Sequence, residues 1–174
     1  MALCNYATQV RGLQIGLVNY YREDLKGFQL GLVNANPDTK VQMMVYGGNV
    51  TPANIGVRFK NQLFYTILGV GSMYQGLNDK FSASASYRAG LSFPIYKGLS
   101  ISGDLGYQHI ETFDNKDEVI PGRLYALQAR ANLEYQLTKK FGIFATGGYG
   151  LTRFYNKSGN YDKGAIIEAG IVLF

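Results

Sequence analysis

The segment of residues 124–137, LYALQARANLEYQL, alternates between apolar and polar side chains. Successive side chains of a β-strand point to opposite faces, so this segment has one apolar face and one face of amides and charges. The apolar face consists of Tyr125, Leu127, Ala129, Ala131, Leu133, Tyr135 and Leu137. The segment is longer than the about 5–6 residues of a usual globular strand, and tyrosines lie near both ends. These properties predict a strand that crosses a bilayer as part of a barrel.

The same alternation recurs in residues 81–95, 99–113 and 141–155. Charged residues make up 17 % of the chain, below the about 25 % of soluble proteins. No window approaches the about 18 apolar residues of a transmembrane helix. A soluble β-sandwich would also alternate, but recurrent apolar faces of this length favour a membrane barrel.

Turn signals divide the chain into ten strands. Short turns near residues 37, 61, 97 and 139 alternate with longer connections near 23, 52, 78, 118 and 160, which is typical of outer-membrane barrels. We therefore predict a single domain over residues 1–174, an all-β, transmembrane, antiparallel up-and-down barrel of ten strands with both termini periplasmic. Eight strands is the alternative, if residues 55–74 form one strand and another pair is miscounted. Residues 1–10 are expected to be a short periplasmic segment or the remnant of a targeting sequence.

Two near-identical octapeptides open the chain, GLQIGLVN at residues 12–19 and GFQLGLVN at residues 27–34, and residues 41–49 are a looser third copy. In the first copy Leu13 and Leu17 share one face, with Gln14 on the other. Internal repeats usually mark repeated supersecondary units, and here they predict a repeated hairpin arm. The unit resembles the short G-x-Q-x-G-L-x-N surface repeats of some bacterial outer-membrane proteins. This resemblance covers about the first third of the chain and implies a fold and a location, but no activity.

The chain ends in EAGIVLF, with an aromatic residue, Phe174, in the last position. This ending resembles the carboxy-terminal assembly signal of small outer-membrane barrels. The resemblance implies that Phe174 is read by the barrel-assembly machinery.

Five charged residues fall in mid-strand on polar faces: Arg88, Asp104, Arg130, Glu134 and Glu168. Buried charges are costly unless they are paired, so we predict a salt-bridge network that closes the lumen. If the strands at residues 81–95 and 99–113 are joined by the turn at Lys97, Arg88 lies one diagonal step from Asp104, and Arg130 reaches Glu134 or Glu168. The alternative is a constriction in a small passive channel, since small serine and glycine residues on the same faces leave room for water.

Catalytic and metal-binding signals are weak in this sequence. The single histidine, His109, lies near Glu111 and Asp114, a rim position at which a lipid-modifying or proteolytic enzyme is the least favoured alternative. Cys4 is the single cysteine, so no metal or cofactor site is predicted. The acidic residues at 114, 117 and 118 match no calcium loop. The net charge of +5 is scattered, which argues against nucleic acid as a partner.

The sequence thus predicts a non-enzymatic protein of the bacterial outer membrane that serves as a structural or accessory subunit or as a surface anchor. Its expected partners are outer-membrane lipid and lipopolysaccharide, the barrel-assembly machinery and a larger outer-membrane complex. Aromatic side chains settle at the headgroup level and should form two belts. The outer belt is expected to contain Tyr20, Tyr74, Phe81, Tyr125 and Tyr155, and the periplasmic belt Phe93, Tyr135 and Phe141.

Overall fold

The computed structural model describes residues 2–75, 77, 81–113, 122–156 and 158–174, with the exception of the Phe28 side chain. These residues form eleven strands: β1 (Cys4–Ile15), β2 (Val18–Leu30), β3 (Val33–Ala35), β4 (Lys40–Gly48), β5 (Ala53–Asn61), β6 (Phe64–Ser72), β7 (Ser82–Tyr96), β8 (Leu99–Thr112), β9 (Arg123–Gln136), β10 (Phe141–Phe154) and β11 (Asn160–Leu173). Within these ranges no helix is long and apolar enough to cross a membrane.

Strands β4 to β11 close into a barrel in which each strand pairs antiparallel with its neighbours in the chain and β11 pairs with β4. The predicted all-β, antiparallel up-and-down barrel is therefore confirmed. The alternation of side chains sets its faces as expected for β9. Leu127 and Leu133 point outward and are 47 % and 49 % exposed, whereas Arg130 points inward and is 8 % exposed.

The barrel has eight strands, so the main prediction of ten is wrong. The alternative number of eight is right, but for a different reason than the one expected. Residues 55–74 are not one strand, because Gln62, with φ at +48°, turns the chain between β5 and β6. The count falls to eight because the amino-terminal repeats lie outside the barrel.

The strands β1, β2 and β3 form a separate parallel sheet, so the predicted hairpin arm is also wrong. The chain winds through successive parallel repeats in this sheet, and we call residues 2–35 the amino-terminal coil; the term does not mean irregular structure. Its repeats stack in register, with Asn19 donating to Asn34 Oδ1 at 2.8 Å and Gln29 donating to Gln14 Oε1 at 2.7 Å. A side-chain amide both donates and accepts, so like amides pair when identical repeats stack in parallel. An antiparallel hairpin would place unlike residues opposite each other, and the amide pairs therefore favour the coil.

Each repeat of the coil turns where there is no room for a side chain. A Cβ added to Gly31 would lie 2.2 Å from the Gly16 carbonyl oxygen. The glycines of the two octapeptides therefore allow one repeat to approach the next. Because β1 begins at Cys4, the segment expected as a periplasmic or targeting remnant contributes to this sheet.

The coil rests against the outer wall of the barrel, where β3 contacts β5 and β6. The Asn61 side chain donates to the Asn34 carbonyl oxygen at 2.5 Å, and the Tyr87 hydroxyl donates to the Gly31 carbonyl oxygen at 2.8 Å. Thr66 lies on the outer face of β6 by its pairing with Phe59 and Ala89, yet it is 1 % exposed. The coil therefore covers part of the wall formed by β5, β6 and β7.

The two ends of the barrel differ. Connections at residues 62–63, 97–98 and 137–140 join strands at one end, where β4 starts and β11 finishes; the predicted turns near 61, 97 and 139 fall here. Connections at 49–52, 73–81, 113–122 and 155–159 join strands at the other end. We call these the short-turn end and the loop end. The predicted loop over residues 114–123, with its acidic residues at 114, 117 and 118, lies largely outside the described residues.

Apolar side chains also enter the barrel. One interior cluster, with Phe174 packed against it, contains Met44, Tyr46, Tyr65, Ile67, Phe144 and Val172. A second cluster contains Tyr74, Leu77, Ile110, Leu124 and Ala126. The lumen therefore contains two apolar clusters as well as the buried charged residues.

Candidate functional site

The interior charges meet around Arg88 of β7 and Asp104 of β8. Arg88 Nε and Nη2 donate to the two Asp104 carboxylate oxygens, each at 2.8 Å. The pairing of the strands places Arg88 opposite Gly106 and Asp104 opposite Gly90, so the two charged residues are diagonal neighbours. This matches the diagonal expected from the sequence. A bulge near the turn pairs Tyr96 with Leu99, and it leaves Arg88 opposite Gly106.

Glycines make room for these side chains. A Cβ at Gly90 would lie 2.7 Å from the Asp104 Cβ, and one at Gly106 would lie 2.9 Å from Arg130 Nη1 and 3.1 Å from the Arg88 Cγ. The space that the sequence suggested for water is therefore occupied by Asp104 and Tyr65 at Gly90 and by arginine side chains at Gly106.

Neutral side chains complete the hydrogen bonding of Asp104. Its Oδ2 accepts from the Tyr65 hydroxyl and from Asn132 Nδ2, both at 2.8 Å. Asn132 Oδ1 in turn accepts from Thr146 Oγ1 at 2.6 Å and from Arg88 Nη2 at 3.1 Å. The carboxylate is thus surrounded by donors from three other strands.

Glu168 of β11 links two arginines. Arg130 Nη2 donates to Glu168 Oε1 at 3.2 Å and to Gln128 Oε1 at 2.6 Å, and Arg88 Nη1 donates to Glu168 Oε2 at 3.5 Å. Arg130 Nε lies 3.2 Å from Glu168 Oε2, but Nε and Nη1 have no hydrogen bond among the described residues. Arg130 is therefore the least satisfied arginine of the network.

A fourth buried ion pair was missed in the sequence analysis. Arg58 of β5 donates through Nη1 and Nη2 to the Glu134 carboxylate at 2.6 and 3.0 Å, and its Nε donates to Gln42 Oε1 at 2.7 Å. Glu134 therefore pairs with Arg58 rather than with Arg130. The signal was present in the sequence, because Arg58 lies on the opposite face of its strand from Val57 and Phe59.

The buried charges of the described barrel balance. They are Arg58, Arg88 and Arg130 against Asp104, Glu134 and Glu168. Removing charges from water is costly, and paired geometry with additional hydrogen bonds is what offsets that cost. The network lies beside a cavity of about 10 Å³, about the minimum for one water molecule. The ion pairs and their hydrogen-bond partners therefore occupy the lumen at this level.

Two larger cavities flank the network. One of about 290 Å³ near the loop end is lined by Gln128 and Thr152 among others. One of about 190 Å³ near the short-turn end is lined by Lys60 and Glu134 among others. Along β9, Gln128 and Glu134 are separated by roughly 20 Å at the usual rise of a strand. The network thus divides two vestibules.

His109 belongs to a separate cluster on the outer surface at the loop end. Its Nδ1 lies 2.8 Å from the Tyr155 hydroxyl and its Nε2 3.2 Å from Glu111 Oε2. The Tyr155 hydroxyl also contacts that of Tyr107, and Arg123 Nε donates to Glu111 at 3.0 Å. Burial and the contact with Tyr107 raise the pKa of Tyr155 to about 12, so its hydroxyl stays protonated at neutral pH. A protonated phenol is a poor nucleophile, and the cluster has the composition of a polar surface patch.

Phe174 turns its ring toward the inner apolar cluster, and its backbone N–H donates to the Lys140 carbonyl oxygen at 3.0 Å. Cys4 is exposed and free. In the part of the chain that the structure describes, no group of histidine, cysteine and acidic residues could hold a metal ion.

These features define the class of closed, eight-stranded antiparallel barrels with a filled lumen. The chain is similar to the crystal structure of Neisserial surface protein A, with 9 % sequence identity over 76 % of this chain and 92 % of that chain and a TM-score of 0.49. No protein-family model and no curated protein sequence matches the chain.

Proposed function

We propose that this chain is a non-enzymatic barrel of the bacterial outer membrane that acts as a structural or accessory subunit or as a surface anchor, with its lumen closed by the charged network. The observation that carries the proposal is the outer wall. Every barrel strand exposes large apolar side chains there, among them Val45, Val57, Val70, Leu91, Leu105, Leu127, Ile143 and Ile167. Soluble monomers rarely expose continuous apolar surface of this extent, whereas a bilayer requires it.

The distribution of charge supports the same proposal. Three arginines and three carboxylates are inside the barrel, while the outward positions of β9 from Tyr125 to Tyr135 are tyrosine, leucine and alanine. A soluble sandwich would bury Leu127 and Leu133 in its core, and both are instead about half exposed.

Aromatic residues lie at both ends of the wall. Tyr107, Phe113 and Tyr155 are exposed at the loop end together with Phe81, and Phe93, Tyr96 and Tyr135 are exposed at the short-turn end. Two belts of this kind fit the two headgroup regions of a bilayer. Tyr74 and Tyr20 do not belong to them, because Tyr74 points into the lumen and Tyr20 stacks on Tyr6 in the coil.

The proposal assigns the short-turn end to the periplasm, which places both termini there. It also assigns outer-membrane lipid and lipopolysaccharide to the outer wall, and the barrel-assembly machinery to the Phe174 end. A larger outer-membrane complex is the proposed setting for a barrel that has no open lumen.

Cysteine labelling of intact cells tests location and orientation together. In a Cys4→Ser background, a membrane-impermeant thiol reagent should modify Ser158→Cys at the loop end. Lys97→Cys and Lys139→Cys at the short-turn end should be modified only after the outer membrane is opened. Labelling of the two short-turn variants alone would reverse the orientation, and recovery of the protein in the soluble fraction would reject the membrane proposal.

A small passive channel is the second candidate, and the two vestibules favour it. They approach the network from opposite ends, and Arg130, the arginine with unused donors, lies between them. In this candidate, a rearrangement that includes the Arg130–Glu168 pair opens a path between them. Charged constrictions of this kind set selectivity in small pores.

Planar-bilayer recording separates the two candidates. A closed barrel should give no steady conductance, and the Arg130→Ala/Glu168→Ala double variant should conduct because it removes the pair between the vestibules. Lys139→Ala, at the short-turn end, is the matched control and should remain silent. Steady conductance of the unmodified protein would favour the channel.

A further inference from the structure

The amino-terminal coil buries amide side chains, together with Val10, and exposes leucines. Asn19 is fully buried and Gln14 and Gln29 are nearly so, whereas Leu13 and Leu30 are 64 % and 58 % exposed. Leu3, Leu17 and Leu32 continue the exposed apolar surface. A coil in water would bury its leucines and expose its amides. The coil therefore has the same inverted polarity as the barrel wall.

The exposed surface of the coil is divided into two parts. Four of the exposed leucines lie in residues 13–18 and 30–33, which form the turn side of each repeat. Leu3 lies beside the first of these turns, because the Val18 backbone N–H donates to its carbonyl oxygen at 3.0 Å. The charged residues Arg22, Glu23, Asp24 and Lys26 lie in the middle of β2 and are all exposed. The coil is thus amphipathic, which is the property of segments that lie in the interface of a bilayer.

The apolar part of the coil is continuous with the barrel wall. The turn that carries Leu32 follows Gly31, whose carbonyl oxygen accepts from Tyr87 on the outer face of β7. The next residues, in β3, contact β5 and β6. The Asn34 carbonyl oxygen accepts a hydrogen bond from the Asn61 side chain at the short-turn end. If the barrel wall faces lipid, the leucines beside it lie at the depth of the leaflet at the short-turn end.

The charged side of the coil decides how deep the coil lies. Arg22, Glu23, Asp24 and Lys26 of β2 are exposed, and charged side chains are costly in the hydrocarbon region of a bilayer. These residues must therefore reach headgroups and water. The two sides of the coil together place it at the interface, with only its leucine side in the acyl chains.

We propose that the amino-terminal coil is an interfacial membrane anchor that inserts its leucine side, Leu3, Leu13, Leu17, Leu30 and Leu32, among the acyl chains of the leaflet at the short-turn end. The proposal rests on the membrane location of the barrel given under Proposed function. Phospholipid is the proposed occupant of the exposed apolar surface of the coil. In this role the coil fixes the short-turn end at the membrane surface.

The chain contains no tryptophan, so single-tryptophan variants report one position each. We would refold the full chain into phospholipid vesicles with and without bromine on the acyl chains, which quenches tryptophan only by contact. Leu13→Trp and Leu30→Trp report the leucine side of the coil, and Arg22→Trp reports its charged side. Leu133→Trp, on the barrel wall near the short-turn end and away from the coil, reports the membrane location of the barrel.

Brominated lipid is expected to quench Leu13→Trp and Leu30→Trp as strongly as Leu133→Trp, while Arg22→Trp is quenched by acrylamide in the water phase. Quenching of Leu133→Trp without quenching of the two coil variants would overturn the anchor and leave the proposed function standing. Protection of the coil variants from both quenchers would overturn it as well and would point to a second copy of the chain on the leucine side. Absence of quenching at Leu133→Trp would reject the membrane location itself.

Discussion

Arg88 and Asp104 lie on neighbouring strands one diagonal step apart and share two hydrogen bonds of 2.8 Å inside the barrel. Removal of either partner leaves an uncompensated buried charge, at a cost of about 3–5 kcal/mol, or less where lumen water screens it. We therefore expect Arg88→Ala to lower the free energy of unfolding, and Asp104→Ala to cost less in that background than alone. Urea titration in lipid vesicles measures the cycle. Additive losses would show that the Arg88–Asp104 pair does not contribute to the free energy of unfolding.

Ala129 tests the outer wall of β9. Its side chain is exposed beside Leu127, and arginine at the bilayer midplane of a barrel costs about 2–4 kcal/mol. Ala129→Arg should therefore reduce the free energy of unfolding in vesicles by about that amount, and Ala129→Leu, the matched apolar control, should not. Equal stability of the two variants would mean that Ala129 does not face acyl chains.

Gly31 tests the stacking of the coil. A Cβ there would lie 2.2 Å from the Gly16 carbonyl oxygen and 2.5 Å from Asn19 Nδ2, and overpacking of this kind costs about 1–3 kcal/mol. Gly31→Ala should open the coil to proteases within residues 2–35 while the barrel stays intact. Gly147→Ala is the control, because nothing lies within 4 Å of its added Cβ. Equal resistance of both variants would contradict the tight stacking.

Tyr155 makes a prediction about pH. Its pKa is raised from 10.0 to about 12, so the folded protein favours the protonated phenol. The resulting stabilisation is fully present below the unfolded pKa and is lost as the pH rises through that of the folded state. Subtraction of the ultraviolet titration of Tyr155→Phe from that of the unmodified protein should show one phenol ionising near pH 12. A difference centred near pH 10 would contradict the shift.

The sequence predicted the barrel well because alternation determines which side chain faces which way. It predicted the faces of β9 and the diagonal of Arg88 and Asp104 for this reason. Alternation does not specify the partner of a strand or its direction. The octapeptide repeats alternate like barrel strands. Only the matching repeat positions of Asn19 and Asn34, and of Gln14 and Gln29, distinguish a parallel stack from a hairpin.

The interior charges were only partly accessible to the same reasoning. The inward faces of Arg88, Arg130 and Glu134 follow from alternation within their own strands. Arg58 also faces inward by alternation. Its strand is short and lies between turn residues, so the alternation around Arg58 extends over few positions. Which acid meets which arginine depends on distances across the lumen between strands that are not neighbours, and no local pattern encodes those distances.

The parallel stacking of the coil gives this protein one part whose size is not fixed. A barrel must close on itself, so added strands change its diameter and tilt together. A parallel stack of similar repeats, in which Asn19 and Asn34 are fifteen residues apart, can accept a further repeat at its β1 edge without moving any barrel strand. A tandem duplication of that length in the gene would therefore lengthen the coil and leave the barrel untouched, so the two parts of the chain are free to evolve at different rates.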